Sequence, residues 1–464
     1  MTDSPSSTDY LTPLSALTAD IDTIVLAGAD SHGIMRGKRV PRSQLERLLA
    51  HGMPMCNVFW VMHVDESDLV LRPKDYEGYF PTEQDGYPDI LAAPDTNTLR
   101  VVPWHPRTAL MLCDWQRIDR TPLPIDPRGV LASVVDRGRN LGFETYCALE
   151  LEFYVLRETT ASLQGRIPRD LVPLSDRPST YGVVKGSEQE PIGRMIRDRM
   201  LDYGLPIESC NPETGPGQFE ITLEYRPALQ AADDAFLFKN AVKEVVAQEG
   251  LMATFMAKPR NDWAGNSCHI HLSMRDVDNG ASFYDASDPN GFSSTMRHFV
   301  GGSLKTMAEM SPFFGPTVNS YRRYAPYSWA ATTATWGVDN RSAGIRAIRE
   351  GESGTRIEHR RGGGDVNPYV AAAAVLAGGL YGIESEIEPR ELFPGDVYAA
   401  DRGSVEQLPR SLEDATRRLA ESDVAREWMG AEFVNHFVTM KEAEIEAYSR
   451  AVTDWDIARY LEAL

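Results

Sequence analysis

Four short stretches alternate apolar and polar side chains with a period of two, and each puts metal- or phosphate-type groups on its polar face. In YCALELEFYVL, Glu150 and Glu152 share one face, while Leu149, Leu151 and Phe153 share the other. In GQFEITLEY, Glu220 opposes Phe219, Ile221 and Leu223, and Glu213 lies seven residues upstream of it. In NSCHIHLSM, His269, His271 and Ser273 oppose Cys268, Ile270 and Leu272. In TRIEHRR, Arg356, Glu358 and Arg360 oppose Ile357. Side chains on a strand point alternately to its two faces, so these segments predict strands with one face in a core and the other open to a shared cavity. Carboxylates with one or two imidazoles suit hard divalent cations such as Mg²⁺ or Mn²⁺. Arginines beside them suit phosphate. The pattern predicts a metal-dependent, nucleotide-using enzyme.

Each segment also has a plainer reading. Alternating acids are often a solvated strand face. Here the apolar flanks predict burial, and two buried acids without a counter-charge are costly. Glu213 and Glu220 bracket a Gly-Pro-Gly turn, so both can reach one point; an ordinary hairpin with exposed acids is the alternative. His269 and His271 could be structural, but the chain holds only nine histidines and two of them share this spacing. Between residues 319 and 361 lie Arg322, Arg323, Arg341, Arg346, Arg349, Arg356, Arg360 and Arg361, in a chain of net charge −20. A salt-bridge belt is one reading; an anion cradle for carboxylate and polyphosphate is the reading favoured here. No GxxxxGK phosphate loop occurs, so any ATP is held in another way.

The negative charge argues against nucleic acid and against anionic membranes as partners. Cys56, Cys113, Cys147, Cys210 and Cys268 are scattered and form no CxxC pair. That fits reduced thiols in the cytoplasm. The first residues carry neither a basic nor an apolar leader segment. The longest apolar run, residues 369–383, is short for a membrane span and predicts a buried helix with Asn367 as cap and Pro368 at its first position.

A length of 464 residues predicts two or three domains, or a large catalytic domain with a smaller partner. Residues 1–20 read as a flexible tail and 21–118 as a small sheet-rich domain. Strands are expected at 21–30, after Gly52 (MCNVFWVMHV), and near 68–71, 99–102 and 109–114. SHGIMRGKRV reads as a turn, and RSQLERLLAHG as a short helix closed by Gly52. Residues 119–128, with Pro122, Pro124 and Pro127, read as a linker. Residues 129–464 form the large domain, opening on an amphipathic helix and ending in a helical tail from about 412 to 448.

In order and spacing, Glu150-x-Glu152, NPETGPGQFE, CHIHLS, NSYRR, NRSAGIR, and RIEHR followed by DVNPY resemble the catalytic domain of type I glutamine synthetases, from about residue 127 onward. The N-terminal domain is similar more loosely, through the strand ending at Asp30 and the RGKRVP turn. The resemblance implies an α+β fold: a β-grasp N-terminal domain and a catalytic domain on a curved antiparallel sheet. It implies that Glu152, Glu213 and Glu220 hold one metal, and that Glu150, His269 and Glu358 hold a second that bridges the ATP phosphates. It places Arg323 and Arg360 on glutamate carboxylates, and Arg341, Arg346 and Arg356 on phosphates. His271, Ser273, Glu208 and Tyr225 fall beside the nucleotide, and Gly265 beside the glutamate amino group, where Ala264-Gly265 replaces the family's Asn-Gly. It further implies phosphorylation of the glutamate γ-carboxylate by ATP, attack by an amine, and a dodecamer of two stacked six-membered rings.

The ammonium site departs from the family pattern. The proton-accepting glutamate after the NSYKR motif is replaced by Trp329 in NSYRRYAPYSWA. The ammonium-binding aspartate of the N-terminal domain aligns near Cys56 or Asn57 in GMPMCNVFW. Without those acids the desolvated NH₄⁺ lacks its counter-charge, whereas Trp329 offers an apolar wall and a cation–π face. This resembles the γ-glutamyl-amine ligases of the same family, whose substrates include polyamines, ethanolamine and small alkylamines. Asp339 or a water could take the proton. With no further acid evident near Trp329, a small monoamine such as ethanolamine is expected over a long polyamine. An ordinary glutamate–ammonia ligase and a non-catalytic structural relative are the alternatives; the complete ligand set argues against the latter. Tyr398 stands in GDVYAADRG, outside the family's adenylylation context.

Overall fold

The computed structural model describes residues 14, 17–165, 170–278, 280–401 and 403–464. The tail expected over residues 1–20 lies mostly outside them. Leu17, at its inner end, is buried with Ile21 in the N-terminal core.

The N-terminal unit is one sheet of six strands: β1 (Thr23–Ala29), β2 (Met35–Pro41), β3 (Met53–Cys56), β4 (Asp89–Pro94), β5 (Arg100–Val101) and β6 (Thr108–Gln116). Their order is β2-β1-β6-β4-β3, with β5 on β6 and the β1–β6 pair parallel, the arrangement of a grasp-like sheet. Three expectations change here. SHGIMRGKRV is a turn only at its start; from Met35 it is β2, an edge strand whose exposed Lys38 and Arg39 disguise it in sequence. After Cys56 the chain leaves the sheet as a 3₁₀ turn, Asn57–Val61, which buries Asn57, Phe59, Trp60 and Val61 together. Burying neighbours on both sides is incompatible with the alternation of a half-exposed strand. Near 68–71 there is only an isolated bridge, Met62 to Leu69. The helix Leu45–His51 closes on Gly52 at φ 70°, as expected.

The stretch 119–128 is packed against both units. Leu123 and Ile125 are buried in the N-terminal core, and Asp126 caps the helix Pro127–Asn140. Arg128, buried, holds Asp95 and Asp114 of the N-terminal unit at 2.7 and 2.6 Å, and Asp233 of the larger unit at 2.8 Å.

The larger unit is built on ten strands: β7 (Phe143–Leu156), β8 (Ile207–Pro212), β9 (Gln218–Leu223), β10 (Arg226–Pro227), β11 (Met252–Thr254), β12 (Cys268–Asp276), β13 (Gly280–Ala281), β14 (Trp336–Val338), β15 (Ile345–Ile348) and β16 (Arg356–His359). The main path is β14-β15-β16-β12-β7-β9-β8, antiparallel except for the parallel β14–β15 pair. Leu149, Leu151, Phe153, Phe219, Ile221, Cys268, Ile270, Leu272 and Ile357 all turn into one core, covered by the helices Pro127–Asn140, Ala228–Gln248 and Pro368–Glu384. Burial of these side chains stabilises by about 25 cal/mol per Å² of apolar surface. The apolar run from 369 is the helix Pro368–Glu384, capped by Asn367 as expected. The helical tail divides into Leu412–Ala420, Asp423–Met429 and Ala431–Arg450. No described helix is long and apolar enough to cross a membrane.

Candidate active site

The opposite face of the large sheet carries the polar set in register. Glu152 pairs with Glu220 across β7 and β9, and Glu150 with His269 across β7 and β12. His271 pairs with Glu358 across β12 and β16, and Glu358 with Arg346 across β16 and β15. Five strands thus deliver acids, imidazoles and a guanidinium to one surface without any loop.

Ligand atoms of Glu150, His269 and Glu358 lie within 4.8 Å of one another, and so do those of Glu152, Glu220 and His269. His269 belongs to both groups. Glu213 belongs to neither: its carboxylate accepts from the Thr214 amide at 2.9 Å and from Asn211 at 3.4 Å. Burial, then the charges of Glu150, Glu152 and Glu213, push the Glu220 carboxyl up to about 9. Burial also acts on Glu358, but Arg360, His269 and His271 outweigh it and hold that carboxyl down at about 2. The carboxylates crowd one another, and His269 Nε2 is buried without a hydrogen-bond partner. Divalent cations fit this donor set, because they neutralise the acids and complete the imidazole.

Beside these acids opens a cavity of about 930 Å³, lined by Glu150, Glu208, Tyr225, His271, Ser273 and Arg356. The sequence-predicted nucleotide residues Glu208, Tyr225, His271, Ser273 and Arg356 are therefore together. Arg356 is held by Glu350 at 2.7 Å and donates to His271 Nδ1 at 3.3 Å. Arg346 stands apart from that lining, between Asp339 at 2.6 Å and Glu358 at 3.0 Å. Arg341, half-exposed and 4.0 Å from Asp339, lines a different cavity.

Arg323 and Arg360 are both buried at the other end of the row. Arg323 donates to the carbonyls of Arg361 and Gly362 at 2.7 and 2.6 Å. Arg360 donates to Glu358 and, at 3.4 Å, to the Trp329 carbonyl. The Nε of each is buried without an acceptor, as expected of donors kept for a substrate carboxylate. Gly265 touches Arg323 so closely that a Cβ there would sit 2.5 Å from Arg323 Cγ.

Trp329, at φ 60° and 62% exposed, borders the same cavity as Arg341, of about 650 Å³, with Tyr327, Val338, Leu392, Phe393 and Tyr398. The Tyr327 and Tyr398 rings meet at 5.3 Å. Tyr398 donates to the Ala330 carbonyl at 3.0 Å, and burial raises its phenol to about 12. One expectation is corrected here. Asp339 and Asp396 also line this cavity, so further acids do stand near Trp329. Asp339 is paired with Arg346, and Asp396 accepts from the Tyr398 amide at 2.9 Å. Asp396 is remote in sequence and gave no signal. No described residue before Tyr327 lines the cavity, so Cys56 and Asn57 are not brought to it.

The partners of Glu152 were not anticipated from sequence. Its carboxylate accepts from the Ser267 amide at 2.7 Å and from Gln218 at 3.4 Å, and Gln218 also donates to Asn266 and to the Gly265 carbonyl. The signal was present, since Gln218 shares a strand face with Glu220.

The profile of the family described as "Glutamine synthetase, catalytic domain" matches residues 124–460. A glutamate–isopropylamine ligase from Pseudomonas sp is 37% identical over 446 residues, covering 96% of each chain. A type-1 glutamine synthetase 2 from Dictyostelium discoideum is also 37% identical, over 95% of this chain and 84% of its own. A gamma-glutamylethanolamide synthetase from Streptomyces coelicolor is 38% identical, over 96% of this chain and 94% of its own. The solved ligand-free structure of GmaS superposes with a TM-score of 0.82 at 29% identity, over 97% of this chain and 100% of that one.

Proposed function

The chain belongs to the glutamine synthetase family and is a carbon–nitrogen ligase, and from that premise we propose that it joins the γ-carboxylate of glutamate to an organic primary amine at the expense of ATP. The observation that carries this reading is Trp329, with its aromatic and apolar cavity, at the position where ammonia-using members carry a glutamate. Relatives named for isopropylamine and for gamma-glutamylethanolamide agree with it. The type-1 glutamine synthetase is equally similar overall, so identity alone does not choose between amine and ammonia.

Glu150, His269 and Glu358 would hold one divalent cation and Glu152 and Glu220 the other, with Glu213 reaching in once it releases Thr214. Such cations, when bound, would supply charge to screen the phosphate oxygens. Arg323 and Arg360 orient the glutamate carboxylates, and Arg356 and Arg341 neutralise phosphate. Attack of the amine on the γ-glutamyl phosphate forms the C–N bond and expels phosphate; the proton leaves to Asp339 or to water.

Alkylamine surface covered by Trp329 and Tyr327 contributes about 25 cal/mol per Å². Asp396 makes a diamine as compatible with the cavity as ethanolamine. We further propose the dodecamer of two stacked hexamers, in which a neighbour's N-terminal unit completes the amine end that this chain leaves bare. An amine panel with glutamate, ATP and Mg²⁺, read by ADP release and product mass, tests the function. Faster glutamine formation from ammonium than any γ-glutamylamide would assign an ordinary glutamine synthetase instead. A monomeric mass with full activity would remove the shared site.

A further inference from the structure

Behind the sheet, where the turn Ser31–Ile34 of the N-terminal unit meets the larger unit, lies a separate cavity of about 220 Å³. Lys239 and Lys243 reach it from the helix Ala228–Gln248 and Lys441 from the helix Ala431–Arg450. Lys239 and Lys243 are one helical turn apart, and their ammonium groups stand 5.5 and 5.9 Å from the same Phe255 ring. Lys239 also donates to the Val366 carbonyl at 2.5 Å. Lys441 is only 3% exposed; its ammonium lies 4.8 Å from the Phe437 ring and has no hydrogen-bond acceptor among the described residues.

The counter-charge is small. Asp365 is the one acid in the lining, and its Oδ2 is already taken by the Thr317 and Ser320 hydroxyls at 2.8 and 2.6 Å. Asp30, nearby, is committed to Arg36 at 2.9 Å. His32 completes that side; burial, then the charge of Lys441, holds its imidazole well below the usual range, so it adds no charge at neutral pH. Glu444 lies outside the lining, though its charge reaches Lys441, and Asp365 Oδ1 is buried without a partner. Three ammonium groups thus face one carboxylate in the lining, and a buried ammonium without an acceptor is costly. Burial itself, then the charge of Lys243, lowers Lys239 to about 8.

We propose that this cavity binds a small dianion with oxygen donors, inorganic phosphate or a short dicarboxylate, between Lys239, Lys243 and Lys441. The volume excludes a nucleotide, whose sites run to about 300 Å³ and above. Lys441 offers its free donors. The site adjoins the glutamate end through one residue: a Cβ on Gly363 would lie 2.6 Å from Asp365 Oδ1 and 3.7 Å from Arg323 Nε.

The test uses the full chain with Mg²⁺, a non-hydrolysable ATP analogue and glutamate, so that the catalytic anion sites are filled. Phosphate and malonate are then titrated separately by calorimetry. The expected result is one additional site per chain for at least one of them, and the two titrations decide which source of the dianion fits. Lys441→Met should weaken that site about tenfold or more, the loss expected for one charge-assisted contact. Lys243→Met, at the exposed mouth, is the variant that keeps the fold if Lys441→Met does not, and it should weaken binding in the same direction. Basal turnover without added anion should stay unchanged in Lys243→Met. No additional site in the wild type, or unchanged affinity in Lys243→Met, overturns the proposal.

Discussion

The two ends of the active site are built by different means. The metal end hangs on β7, β9, β12 and β16, where hydrogen-bonded register fixes each ligand against its neighbour. The proposed amine end hangs on loops: Tyr327, Trp329 and Asp339 all sit at positive φ, and the first two are more than 60% exposed. A strand shifted by one residue turns its side chains to the other face, so the metal end tolerates little change. Loop side chains can change without disturbing any pairing. On the proposed function, the metal chemistry would sit on the sheet and the choice of nucleophile on the part that can vary.

That contrast can be broken in four places. The largest effect is expected at the sheet. Glu220→Ala and Glu152→Ala should each lower glutamate-dependent phosphate release by about a thousandfold while circular dichroism stays native. Near-normal turnover in either would remove that residue from the metal set. Next, Gly265→Ala drives a methyl into Arg323 and should raise the KM for glutamate about tenfold or more, with a smaller change in KM for the amine. An equal rise in both would mean that the loop moved as a whole.

At the amine end, Trp329→Glu should shift the ratio of ammonium to alkylamine turnover by about tenfold, since one charge-assisted contact is restored to ammonium. A loss of both activities in parallel would assign Trp329 a structural part. The smallest change is expected for Tyr327→Ala, about a few-fold in KM for the amine and within about 0.5 kcal/mol in stability, as for exposed positions generally. A large loss of stability there would contradict the picture of a freely variable loop.

The same division explains what was legible in the sequence. Strand alternation repeats every two residues, so the faces of Glu150, Glu152, Glu220, His269 and Glu358 are readable from the order of residues alone. The helix at Asn367-Pro368 is legible for a similar reason, because its cap is local. The cavity beside Trp329 is not, since Asp396 joins its lining only through tertiary packing. The orientation of Glu213 toward Thr214 is equally hidden, because a turn fixes it rather than a ladder. In the N-terminal unit β2 is disguised: an edge strand with one polar side carries charges that read as a loop.

Arg128 adds a matter of timing. Its neighbours Asp95 and Asp114 precede it, but Asp233 is made 105 residues later. At ribosomal speeds that interval is roughly 5 to 20 seconds. During it the first sheet can fold around a cation whose last partner does not yet exist. Arg100 waits longer still, since Asp234 follows it by 134 residues. The small unit is thus born before the charges that anchor it to its neighbour.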